Sequence, residues 1–169
     1  MKNLILLLTA VFAFSQDKKD EILALKVHND ARIEVGVGPL TWSEELEKEA
    51  LNYAKYLARR DIFKHSKTTN NGENLAMFYE SFTFDGKTTY TYSLTPLYDS
   101  SIEWYNEISH YKYSKIRRFR IGPKVGHYTQ MIWKDTKKVG IASAMSKNGK
   151  VYIVARYYPR GNFLGEYPY

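Results

Sequence analysis

The chain has no cysteine. No disulfide can staple the fold and no cysteine is there to carry a lipid anchor, so a domain of this size must stand on packing alone. It has no internal repeat and no low-complexity block. Beyond its first residues no apolar stretch approaches membrane-spanning length, which excludes a multi-span membrane protein. Histidine is sparse as well, at four residues: His28, His65, His110 and His127.

What is present begins with Met1-Lys2-Asn3 and the run Leu4-Ile5-Leu6-Leu7-Leu8-Thr9-Ala10-Val11-Phe12-Ala13. One positive charge, a short apolar core and small residues before Gln16 are the layout of a secretory signal peptide. The run is too short for a spanning helix, so a signal peptide over 1–15 and one domain over 16–169 are expected, with the product outside the cytoplasm, secreted or periplasmic, without a transmembrane anchor, and monomeric. The formal net charge is +7, a balance that favours anionic surfaces such as a cell envelope. Lys112, Lys115, Arg117, Arg118, Arg120 and Lys124 cluster just before Gly126 and so border whatever His127 does. Nucleic acid is not an expected partner, because no recognition motif accompanies the basic run and export argues against it.

Along the chain, Leu23, Val27, Ala31 and Val35 form a helical stripe that Asp17 or Asp20 can cap and Gly36 can end. Thr41-Trp42-Ser43-Glu44 offers capping-box chemistry for a second helix, with Leu46, Ala50, Ala54 and Leu57 on one face and an end near Arg60. Residues 64–74 read as a loop. The Phe-, Tyr- and Thr-rich stretch from Phe78 to Tyr92, around Asp85-Gly86, reads as a β-hairpin or flap. Thr95-Pro96 opens a third helix reaching about Ser109, with Leu97, Trp104 and Ile108 inward. Residues 112–124 read as a loop, and a short helix follows from His127 to Trp133. Val139–Met145 and Val151–Tyr158 form a hairpin across Asn148-Gly149. Helices first and a hairpin last predict an α+β domain with helices packed on a sheet.

Several motifs follow in order: Val27-His28-Asn29-Asp30-Ala31-Arg32, Gly36-Val37-Gly38-Pro39-Leu40-Thr41-Trp42, His65-Ser66, Gly72-Glu73-Asn74-Leu75-Ala76, Trp104-Tyr105-Asn106-Glu107, Gly126-His127-Tyr128-Thr129-Gln130 and Ala155-Arg156-Tyr157-Tyr158-Pro159-Arg160-Gly161-Asn162. Together they resemble the CAP superfamily of cysteine-rich secretory, antigen 5 and pathogenesis-related class 1 proteins, also called SCP domains, over nearly the whole chain after the signal. The resemblance implies a three-layer α-β-α sandwich with an open cleft. It also implies that His65, Glu73, Glu107 and His127 meet in that cleft, since each matches a cleft residue of the family.

Two imidazoles are competent ligands for a divalent metal, zinc foremost, but two protein ligands hold an ion weakly. Glu73 and Glu107 then orient the histidines or act as a base toward bound water. Metal binding, metal-dependent hydrolysis and a purely architectural polar network in a protein-interaction scaffold all stand open for these four residues. His28 is expected to pack or hydrogen-bond within the core, and His110 to lie exposed at a helix end. Ala155 stands where the family has cysteine. Relatives that take up sterols or fatty acids use apolar loops, so Tyr79, Phe82, Phe84, Tyr90 and Tyr92 are candidates for an apolar ligand groove beside the cleft; otherwise they pack an extra hairpin on the body. The expected function is binding of a small lipid or an envelope component, with no established enzymatic activity.

Overall fold

Helix α2 (Glu44–Arg60) shows most directly why these residues fold as they do. Leu46, Ala50, Ala54 and Leu57 fall on one face and are buried. Acidic residues fill its first turn and Arg59 and Arg60 its last, which suits the helix dipole. The cap is Ser43, whose hydroxyl accepts from the Leu46 amide at 3.4 Å. Thr41 does not cap: it belongs to the short strand β1 (Thr41–Trp42), which pairs in parallel with β5 (Lys138–Met145). Trp42 donates its indole N–H to Glu47 at 2.8 Å, tying the strand to the helix it precedes.

The molecule, a computed structural model, is described for side chains over residues 18–169 apart from 68, 69, 119 and 120. The expected signal peptide at 1–15 lies outside that range. Helix α1 runs Lys2–Glu34. Strand β2 (Gly72–Phe78) follows α2. Next come the hairpin strands β3 (Glu80–Phe84) and β4 (Lys87–Thr91), helix α3 (Pro96–Asn106) with a 3-10 turn at Glu107–His110, helix α4 (Gly126–Met131), β5 and β6 (Val151–Tyr158). The main sheet has the order β1-β5-β6-β2, with β6 antiparallel to both neighbours. Among the described residues no helix is long and apolar enough to cross a membrane.

Helices cover both faces of this sheet. On one side α2 packs Ala50, Ala54 and Leu57 onto Leu75, Ala142, Tyr152 and Val154. On the other, Ala24, Val27 and Ala31 of α1, Leu97 and Trp104 of α3, and Tyr128 and Met131 of α4 meet Ile141, Ile153, Ala155 and Tyr157. This is the three-layer α-β-α arrangement, and it explains why β6 is buried along nearly its whole length: strand alternation sends residues into both layers. Ala155 is fully buried there, its small side chain filling the core without a covalent staple.

The buried stripe of α1 differs from the apolar one read in the sequence. Asp20, Ala24, His28 and Arg32, spaced four apart, are all buried, beside Val27 and Ala31. Asp20 does not cap its own helix. It accepts from the amides of Leu97 and Tyr98 at 2.9 and 2.8 Å and so caps α3, whose own Thr95 makes no side-chain cap bond. Arg32 donates to the carbonyls of Gly38, Met131, Trp133 and Thr136 at 2.6–2.9 Å, fastening the end of α4 and the loop beyond to α1. Burial draws its pKa down to about 10, still above physiological pH, so it remains a cation.

His28 links this helix to the sheet. Its Nδ1 lies 2.8 Å from the Ala24 carbonyl, which can only accept, so Nδ1 carries the proton. Its Nε2 therefore accepts from the Tyr157 hydroxyl at 2.8 Å, and the Tyr157 oxygen accepts in turn from the Asn74 amide at 3.1 Å. The same Asn74 nitrogen donates to the His127 carbonyl at 3.1 Å, so the chain of bonds runs from the core to the start of α4.

Burial draws the His28 pKa from 6.5 to about 4, against the opposing effect of the Ala24 bond. Above pH 6.5 both folded and unfolded chains hold His28 neutral. Below it the unfolded chain takes up a proton that the folded chain refuses until about pH 4, so stability is lost as pH falls through that window. The loss attributable to His28 is about 3 kcal/mol. Urea unfolding of the native chain and of His28→Gln, at neutral pH and near the bottom of the window, checks this. The variant is expected to be less stable at neutral pH but to lose about 3 kcal/mol less on acidification; parallel losses in the two chains count against it.

Candidate functional site

The cleft opens where β2 begins and β6 ends. Gly72-Glu73-Asn74 is strand rather than loop, and strand alternation sends Glu73 and Asn74 to opposite faces. Asn74 takes the core bonds described above. Glu73 stands directly opposite Arg156 in the ladder, and the two form a buried ion pair. Arg156 also donates to the Ser66 hydroxyl at 3.0 Å and lies 5.1 Å above the Tyr53 ring. Glu73 in turn accepts from the Ser66 amide at 3.0 Å and is hydrogen-bonded to His65 Nδ1. One carboxylate thus gathers a cation, a backbone amide and an imidazole.

A second carboxylate does the same across the cleft. Glu107, just past α3, lies 2.7 Å from His127 Nδ1 and accepts from the amides of His127 and Tyr128 at 2.9 and 3.1 Å. It therefore fills the first turn of α4 and aligns the imidazole at once. Helix α4 is held by its own pentapeptide: Thr129 donates to Asn162 at 2.8 Å, and the Asn162 amide reaches the Gly126 carbonyl at 2.8 Å. Gln130 lies between Gly72 and Gly161, where a Cβ on either glycine would approach its amide group to 2.5 or 2.8 Å. Glycine at both positions leaves the room Gln130 needs.

The electrostatics follow from these contacts. Burial works to raise the pKa of both carboxylates. For Glu73 the His65 bond, the Arg156 charge and the Ser66 donors outweigh it. For Glu107 the His127 bond and charge, with the two amides, do likewise. Both are held below the usual glutamate range and are carboxylates at neutral pH. His65 and His127 spend Nδ1 on these partners, which leaves each Nε2 for a ligand. Both residues line one cleft of about 690 Å³, with Glu73, Asn74, Thr129, Asn162 and the basic residues Lys112, Lys115, Arg117, Arg118 and Lys124 along its wall. The His65 side chain is 65% exposed and that of His127 24%.

The aromatic residues of the hairpin lie elsewhere. β3 leaves the far end of β2, roughly 17 Å along the strand from Glu73. The Asp85-Gly86 turn takes positive φ at both residues, 49° and 70°, as a tight hairpin requires. Every residue of β3 and β4 is exposed. Phe82 and Phe84 share one face of the ribbon, whereas Tyr90 is on the other, close to Tyr79 and over Gly149. Tyr92 lines a separate hollow of about 350 Å³ with Phe78, Tyr98 and Ile102. None of the five rings lines the His/Glu cleft, so the structure does not set an apolar groove beside it. Phe82 and Phe84 are both exposed.

Arg156 is the site residue that reading the sequence passes over, although it leaves a trace. It is a lone charge in the otherwise apolar strand Val151–Tyr158, where a cation is buried only with a partner. Asn74 and Asn162 were visible only as members of motifs.

Replacing Glu73 by Gln leaves Arg156 buried without its countercharge, and the expected cost is about 3 kcal/mol. Glu107→Gln removes charge from a site held by amides and an imidazole, and is expected to cost about 1 kcal/mol. Urea midpoints of the two variants test the ranking; equal losses would show that the Glu73–Arg156 pair is not the stronger anchor.

The comparisons with known proteins bear on the family and the fold. The model of the cysteine-rich secretory protein (CAP) family matches residues 25–158. The chain is 37% identical over 145 residues to the Golgi-associated plant pathogenesis-related protein 1 of Homo sapiens, covering 84% of each chain. It is 35% identical over 173 residues to pathogenesis-related leaf protein 4 of Solanum lycopersicum, covering 99% of this chain and 98% of that one. A crystal structure of NaASP2 with Zn2+ superposes with a TM-score of 0.69 at 26% identity, over 87% of this chain and 83% of the other. The chain belongs to the cysteine-rich secretory protein, or CAP, family.

Proposed function

We propose that the protein is an exported, non-catalytic binding module that takes its ligand in the His/Glu cleft and holds a divalent metal ion, zinc foremost, weakly through His65 and His127. The observation that carries this reading is the matched engagement of the two Nδ1 atoms by buried carboxylates, which leaves both Nε2 atoms to the cleft. Carboxylate partners of this kind orient metal-binding imidazoles and raise their basicity. Two protein ligands would leave such an ion exchangeable. A structure of NaASP2, similar in fold, was determined with Zn2+, which supports zinc as the ion to test. When bound, such an ion would supply a positive charge on the cleft floor.

The carboxylates favour binding over hydrolysis. A general base needs a pKa near the working pH and free lone pairs. Glu73 and Glu107 are both held low, each by three donor groups. Export is supported by Lys2 and the apolar run Leu4–Ala13.

Calorimetric titration of zinc into the chain and into His65→Ala/His127→Ala tests the metal site. The native chain is expected to bind with micromolar or weaker affinity and the variant to show only dilution heat; equal heats overturn the assignment. N-terminal sequencing of the exported product is expected to read from Gln16, and a product beginning at Met1 contradicts the signal.

A further inference from the structure

The cleft wall carries far more positive charge than its floor can neutralise. Lys112, Lys115, Arg117, Arg118 and Lys124 all line it, and Glu73 is the one carboxylate among the described lining residues. That carboxylate is already committed to Arg156 and His65, and Glu107 to His127 and the α4 amides. Between Lys112 and Lys124 the chain has no acidic residue. Among the described residues none of the five cations forms an ion pair, whereas exposed lysines elsewhere do, as Lys26 with Asp30 and Lys150 with Asp61.

The start of the basic segment is also held in place, at Tyr113, Lys115 and Ile116. Ile116 exchanges backbone bonds with the C-terminal tail, its amide to the Glu166 carbonyl at 2.8 Å and its carbonyl from the Gly165 amide at 2.9 Å. Lys115 lies 5.6 Å over the Tyr167 ring, and the Tyr113 hydroxyl donates to the Tyr169 carbonyl at 2.7 Å. The tail is fastened in turn by the Lys134 amide bonded to the Pro168 carbonyl at 2.7 Å. Lys115 is therefore presented by an anchored stretch, with Lys112, Arg117, Arg118 and Lys124 along the same wall of the hollow, and charge presented in this way selects a ligand of opposite sign. A single small anion would engage one or two of them. Five along one wall match a ligand with several anionic groups spaced along it, and two are arginines, whose forked donors fit phosphate or sulfate oxygens. The site is concave, which suits a free chain or ring better than a flat surface.

We infer that the ligand of this cleft is an oligoanion, a small polyol or saccharide bearing several phosphate or sulfate groups, gripped along the wall by Lys112, Lys115, Arg117, Arg118 and Lys124. The inference rests on the reading of the cleft as the ligand site, but not on the metal.

Inorganic tripolyphosphate serves as the probe, titrated calorimetrically into the chain with a chelator present, so that a failed zinc site and a failed anion site are seen separately. The native chain is expected to bind, with affinity falling steeply between about 50 and about 200 mM salt. Arg117→Gln/Arg118→Gln/Lys124→Gln is expected to bind roughly tenfold or more weakly. Lys48→Gln/Lys55→Gln/Arg59→Gln on the exposed face of α2 removes the same charge away from the cleft and is expected to bind nearly as the native chain does. Equal losses in the two variants, or no binding by the native chain, overturn the inference. Phosphatidylcholine–phosphatidylserine vesicles distinguish a headgroup source: binding to vesicles with none to the free anion overturns it too, in favour of a lipid surface.

Discussion

Strand β2 pairs with β6 in a register that sets Glu73 against Arg156 and Asn74 against Ala155, and both sides of the cleft take their positions from that pairing. Because successive residues face opposite ways, one dipeptide serves two layers. Glu73 meets Arg156 on the α2 side and draws in His65, while Asn74 meets Tyr157 on the α1 side and supports the backbone of His127. A slip of one residue would exchange the two and bury each among the wrong partners.

Buried polar side chains recur through this fold and tie its layers together. Asp20 satisfies the amides that begin α3, Arg32 the carbonyls that end α4, and His28 bridges α1 to Tyr157. Without disulfides, such bonds give the layers a unique alignment that apolar contact alone would leave loose. The cost is sensitivity to acid, since a neutral His28 and two ionised carboxylates are all disturbed as pH falls.

Chemically the cleft has two parts of different character. Its floor is self-contained, with each carboxylate saturated by donors and each imidazole aligned through one nitrogen. Its wall carries cations with no carboxylate partner among the described residues, and the C-terminal tail anchors the wall at Lys115 and Ile116. The exposed hairpin of β3 and β4 belongs to the opposite end of β2 and takes no part in this.

The sequence by itself determined most of the elements and the order of the motifs, because helix periodicity, turn residues and short motifs are local features; His65, Glu73, Glu107 and His127 were named through the family resemblance that those motifs carry. It showed the basic run beside His127 as another local feature. It did not show that Asp20 caps a helix more than seventy residues away, that Arg156 is the countercharge of Glu73, or that Arg32 is buried among four carbonyls. It also misplaced the aromatic residues of Phe78–Tyr92, whose hairpin was legible but whose position was not. These were decided by tertiary structure alone: whether a polar side chain is buried, and against what, depends on which distant strand or helix packs over it.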